Sequence, residues 1–217
     1  SPTRRSAGES GNLAPGPSLT GVKDEVDLVL LAGDIDKSTL AVQYARRMHR
    51  DTNCPVCFIA GNHEFYLSDI DASLNEMRSE SVGAAGLFFL ENDVAEFVIN
   101  GESIRVLGCV LWTDYALYGN SVESMRRSHR QLSDHKVILK SGQELFSPQD
   151  ALKRHRESRE FLKREFAKPF DGYTVVMTHH APSERSVEDC FKGDMLTPAF
   201  ASDLTDLVEA SGAAIWV

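Results

Sequence analysis

The sequence predicts an α/β fold with a largely parallel, buried sheet, and three observations predict it. From residue 26 onward, short apolar runs alternate with stretches of helical period, the pattern of consecutive βαβ units. The apolar runs are nearly continuous, as expected of strands covered on both faces. Of 217 residues, 42% are hydrophobic, 25% charged and 8% aromatic, which excludes a collagen, a coiled coil or a wholly disordered chain. At roughly 150 residues per domain, the length fits one large core.

Residues 1–24 scatter Gly, Pro and Ser among polar residues without periodicity and read as a disordered leader or foreign segment, so the expected domain spans 25–217. Within it the expected order is strand 27–32, helix 38–50, strand 56–60, helix 68–79 and a strand near 87–90. Segments 95–99 and 103–111 flank Asn100-Gly101, the strongest short hairpin signal, so an antiparallel hairpin interrupts the winding. A polar stretch over 122–134 reads as helical or mobile. Ser147-Pro148 with Asp150 opens a helix running to about Phe166. A strand at 173–177, a short helix capped by Ser202-Asp203 and ending near Ala210, and an apolar strand at 213–217 complete the order. A chain ending directly after a buried-type strand is expected to be a fragment.

Charge narrows the function. The 23 basic and 32 acidic residues give a net −9, which repels a phosphate backbone and argues against strong nucleic-acid binding. If the chain handles phosphate, a cation must mediate. No apolar run reaches the ~18 residues of a membrane span, and the first 20 residues carry no apolar signal-peptide core. No membrane partner and a cytoplasmic location are therefore expected, with Cys54, Cys57, Cys109 and Cys190 reduced.

Three segments share one construction, an apolar strand followed at once by a small residue and then by metal-type side chains. They are Leu30-Leu31-Ala32-Gly33-Asp34, Ile59-Ala60-Gly61-Asn62-His63-Glu64 and Val176-Met177-Thr178-His179-His180. In an open α/β sheet, ligands bind beyond the carboxyl ends of the strands, so these ends bring Asp34, Asn62, His63, His179 and His180 to one rim. Carboxylate, amide and imidazole suit manganese, iron, zinc or magnesium.

Gly-Asp, then Gly-Asn-His-Glu, then Thr-His-His-Ala-Pro, in this order and each at a strand end, resembles the calcineurin-like metallophosphoesterase superfamily, in particular a bacterial branch of small cytoplasmic members. The resemblance implies a four-layered sandwich of mixed β-sheets flanked by helices. It also implies two divalent ions, bridged by an aspartate and a hydroxide that attacks the phosphorus of a small phosphorylated substrate. Carried over by motif, Asp34 matches the bridging aspartate and Asn62 and His179 match ligands of the second ion. His63 matches the histidine that stabilises the transition state or protonates the leaving oxygen. Members of the family open with Asp-x-His and close with Gly-His-x-His, and neither motif occurs in this chain. By this analogy the first ion keeps only Asp34, so at most one ion is expected here, with impaired activity and an unpaired strand edge.

Several residues carry two readings. Glu64 either orients His63 or is solvated at a helix start; His180 either faces substrate or packs. Trp112 and Asp114 either wall the substrate pocket or belong to the core and its loops. His49, His129, His135 and His155 lie among charges and read as solvated surface. The Arg126-Arg127 pair and the Arg-rich 154–159 run offer a phosphate anchor or an ordinary salt-bridged face. Cys54-Pro55-Val56-Cys57 has metal or redox spacing but lies on an expected buried strand. Two functions remain in competition: a metal-dependent hydrolase of phosphomonoesters or phosphodiesters, and a non-catalytic scaffold of the same fold.

Overall fold

The computed structural model describes residues 26–217, so the expected leader over 1–24 lies outside the described residues. Strands β1 (Val29–Ala32), β2 (Val56–Ile59) and β3 (Leu87–Phe89) alternate with helices α1 (Thr39–Thr52) and α2 (Ile70–Ser81). The three strands form a parallel sheet in the order β1-β2-β3. The chain then turns into the hairpin β4 (Asp93–Ile99) and β5 (Glu102–Cys109). Its turn residues Asn100 and Gly101 both have positive φ, 54° and 86°, the twist that Asn-Gly supplies at little steric cost.

Helices α3 (Ser121–Gln131) and α4 (Asp134–Val137) follow, so the polar stretch is helical. A short ribbon, β6 (Leu139–Lys140) with β7 (Glu144–Leu145), leads into α5 (Pro148–Phe166). In α5 the Ser147 hydroxyl and Asp150 carboxylate form a reciprocal capping box, which places the helix start where the sequence puts it. Strand β8 (Tyr173–Thr178), helix α6 (Thr205–Ala210) and β9 (Ile215–Trp216) complete the order. Ser202 does not cap α6; the Asp203 carboxylate accepts from Thr205 N, and the Ser202 hydroxyl accepts from Asp114 N.

The largely parallel sheet that alternation predicts is β1-β2-β3, and a second, mixed sheet completes the sandwich of mixed β-sheets that the resemblance implies. The hairpin begins a second sheet of order β4-β5-β8-β9, antiparallel at β4-β5 and parallel at β5-β8 and β8-β9. Alternation along the strands explains how they pack. On β2, Val56 and Phe58 face the core shared with α1 and α2, while Cys57 and Ile59 face Val106, Val175 and Met177 of the second sheet. On the far side Leu107 and Val176 pack on Phe161 and Leu162 of α5. The layers are therefore helix, sheet, sheet, helix, and the parallel strands point their carboxyl ends to one rim. β1 is one edge of its sheet and is only partly buried, whereas the central β2 is wholly buried.

Two expectations fail inside this core. His135 and His155 are 2% and 0% exposed rather than solvated, because each lies on the inward face of a helix whose other faces carry the charges. Burial holds both imidazoles below the usual histidine range. Cys54 and Cys57 are also buried; Cys54 Sγ–H donates to Val26 O, and burial pushes the Cys57 thiol up to about 12, which removes the thiolate that metal or redox use requires.

Glu91, beyond β3, is buried and accepts the Val110 N–H, and burial pushes its carboxyl up to about 7. A carboxyl whose folded pKa is raised favours the protonated fold, so stability falls as pH climbs from the unfolded value of about 4.5 toward 7. Glu91→Gln keeps an acceptor for Val110 and removes the buried charge. Denaturant unfolding is expected to show the variant more stable than wild type at pH 8, by up to roughly 3 kcal/mol, with the gap closing near pH 5.

Candidate metal centre

The site lies where β1, β2 and β8 end. After β1, Gly33 (φ 88°) and Asp34 (φ 52°) make a left-handed turn. After β2, Gly61 approaches that turn so closely that a Cβ on Gly61 would sit 2.2 Å from Asp34 Oδ1. A Cβ on Gly33 would sit 2.5 Å from Gly61 N and 2.8 Å from His179 Nδ1. Both glycines are therefore required by close approach, and only Gly33 by its φ.

Glu64 fastens the two loops together. It is fully buried, and its carboxylate accepts Asp34 N at 3.0 Å, Ile35 N at 2.6 Å and Gly61 N at 2.8 Å. Its own carbonyl accepts Ser38 N at the start of α1. Burial raises the Glu64 carboxyl and the nearby Asp34 charge adds to this, while the backbone N–H groups pull it back down. Glu64 thus neither orients His63 nor meets solvent; it satisfies backbone donors of a turn that no helix or strand could serve.

Three acceptors converge at the rim. His179 Nδ1–H donates to Ala32 O at 3.0 Å, which assigns the tautomer and leaves Nε2 with its lone pair. That Nε2 lies 3.1 Å from Asn62 Oδ1 and 3.4 Å from Asp34 Oδ1. The Asn62 amide is oriented in turn, since its Nδ2 donates to Asp134 Oδ1 at 2.9 Å. The Tyr66 hydroxyl donates to the same oxygen at 2.7 Å. Among the described residues no three His, Cys, Asp or Glu side chains form a metal-holding group, and the amide of Asn62 supplies the third donor here. Two oxygens and a ring nitrogen facing one point fit a divalent cation, which would take the place of a proton on Nε2.

His63 sits on the open side. Its backbone N donates to Asp34 Oδ1 at 3.1 Å, its ring lies against Tyr66 at 4.4 Å, and its Nε2 is 3.9 Å from Asp34 Oδ2 with 58% of the side chain exposed. His180 is buried instead, stacked on Trp112 at 5.1 Å with its Nδ1 3.3 Å from Val110 O, and burial holds its imidazole down at about 3. Trp112 is core, packed against Phe146 and Phe65. Asp114 accepts Ala116 N within its own loop. Arg126 and Arg127 pair with Glu123, the ordinary charged face. Sequence reasoning missed Tyr66, four residues from Asn62, and Asp134, which meets Asn62 from 72 positions away and which no local pattern marks.

The profile of the calcineurin-like phosphoesterases matches residues 18–216. The chain belongs to the calcineurin-like phosphoesterase family. The fold of this calcineurin-like phosphoesterase is similar to the crystal structure of a phosphopantetheinyl hydrolase from Mycobacterium tuberculosis, with 15% identity and a TM-score of 0.64 over 90% of this chain and 74% of that one. No curated protein matches the sequence. No helix among the described residues is long and apolar enough to cross a membrane.

Asp134 is predicted to act on metal through Asn62. Losing the partner that orients a ligand typically weakens metal binding 10- to 100-fold, so Asp134→Ala is expected to lower manganese affinity by about that range. Asp134→Asn, which can still accept from the Asn62 amide, is expected to recover most of it; calorimetric titration distinguishes the two.

Proposed function

We propose that this calcineurin-like phosphoesterase is a metal-dependent hydrolase of phosphomonoesters or phosphodiesters. The observation that carries the reading is the convergence of Asp34 Oδ1, Asn62 Oδ1 and His179 Nε2 on one point, with Asn62 Nδ2 and His179 Nδ1 held by Asp134 and Ala32. Asp34, Asn62 and His179 would hold a divalent ion, which supplies positive charge for phosphoryl oxygens and lowers the pKa of water. With a net charge of −9, the chain as a whole repels a phosphoester, and a cation at this point would supply the local attraction.

His63 serves as the proton donor to the leaving oxygen. It is exposed and adjacent to Asp34, and its ring, packed on Tyr66, makes no hydrogen bond among the described residues, so its nitrogens are open to substrate. For a second ion, Asp34 is the one donor that the family motifs assign within the sequence. The chain is therefore expected to bind a single ion weakly and to turn over slowly.

The test uses bis(p-nitrophenyl) phosphate and p-nitrophenyl phosphate with manganese or with chelator. Slow turnover that requires manganese is expected, and turnover indifferent to chelation contradicts the reading. Asn62→Ala and His179→Ala should reduce metal occupancy, with activity partly recovered at high manganese. His63→Ala should keep its metal and lose about 10²- to 10⁴-fold in kcat toward alkyl leaving groups, with a smaller loss for nitrophenolate, which needs little protonation. If His63→Ala strips the metal, His63 is a ligand and the acid role falls.

A further inference from the structure

Between β8 and α6 the chain folds into a loop that encloses a cleft of about 490 Å³, starting two residues beyond His179. Ala181 lines it, and two residues of extended chain place the Ala181 Cα at most about 7 Å from that of His179. The rest of the wall is dominated by Val187, Phe191, Leu196 and Phe200. Phe191 and Phe200 remain 57% and 50% exposed, two large aromatic side chains on one loop turned to one concavity. This volume and lining fall within the range of small-molecule sites.

The cleft is built in advance. Ala181 N donates to Phe200 O and Ser202 N to Ala181 O, which pins both ends of the loop together. The Thr197 hydroxyl donates to Phe191 O at 2.6 Å, and Gly193 N donates to the Tyr118 hydroxyl at 2.8 Å. Helix α3 packs against the Thr197–Ala199 turn from behind. Glu188 and Asp194 also line the cleft, and their charges repel a second anionic group.

We propose that this cleft receives an apolar, uncharged ester group of the substrate, aliphatic or aromatic, while the phosphoryl group lies against Asp34, Asn62 and His179. The inference rests on the phosphoesterase reading and narrows its substrate class. Polyanionic substrates are disfavoured by Glu188 and Asp194; esters of apolar alcohols or phenols are favoured by the two phenylalanines.

The test is calorimetric binding to the manganese-saturated chain of methylphosphonate, naphthylmethylphosphonate and naphthylmethanol. Burying a ring in such a cleft is expected to make naphthylmethylphosphonate bind about 10-fold or more tightly than methylphosphonate. The double variant Phe191→Ser with Phe200→Ser, at exposed positions that the fold does not need, should erase that advantage and leave methylphosphonate unchanged. Equal affinities of the two phosphonates in wild type, or a double variant that weakens both alike, overturn the proposal. Naphthylmethanol separates the two ways of failing. If neither phosphonate binds but the alcohol binds and needs the phenylalanines, the phosphoryl site is wrong and the apolar cleft stands. If methylphosphonate binds while the naphthyl group adds nothing, the cleft is wrong and the phosphoryl site stands.

Discussion

One buried carboxylate holds the candidate site together. Glu64 satisfies the N–H groups of Asp34, Ile35 and Gly61, which belong to two loops that leave different strands. Without it, three backbone donors would lie beneath the surface without partners, at about 1–3 kcal/mol each. It also stabilises a turn in which Asp34 takes the left-handed conformation, a strain on the order of 1–2 kcal/mol for a residue with a side chain. Gly33 and Gly61 then let the loops close until His179 and Asp34 share one edge. The position of Asp34 is thus set from behind, by a carboxylate spent on backbone donors.

The donor set has its own electrostatic logic. One carboxylate, one amide and one imidazole carry a single negative charge, so a divalent ion among them leaves net positive charge facing outward. That is the sign a phosphoester needs in a protein whose overall charge repels it. Orientation comes from neighbours: Ala32 O takes the Nδ1 proton of His179, and Asp134 Oδ1 and the Tyr66 hydroxyl accept from the amide nitrogen of Asn62. The site is accordingly anchored to both sheets and to α4, and each anchor points an acceptor inward.

Much of this was legible in the sequence, for definite reasons. Strand ends followed by a small residue and a polar one are visible locally, which is why Asp34, Asn62 and His179 were named together and the structure brings them to one rim. Capping chemistry is equally local, and α5 begins where Ser147-Pro148 and Asp150 indicate. What was not legible depends on distant pairing. A buried Glu64 looks like any acidic residue at a helix start, and Asp134 carries no sign of its bond to Asn62. The division into two sheets depends on which face of β2 meets Val175 and Met177, a choice that periodicity leaves open. His155 sits among arginines and glutamates, and its burial follows from which side of α5 lies on the second sheet.

The central claim is that His179 offers its Nε2 lone pair to a divalent cation while His63 stays outside the coordination shell. Electron spin echo modulation of the manganese-loaded chain reads directly bound nitrogen and tests this most directly. The account predicts coupling to a single imidazole nitrogen, lost in His179→Ala and retained in His63→Ala. Coupling that survives His179→Ala, or that disappears in His63→Ala, would contradict it.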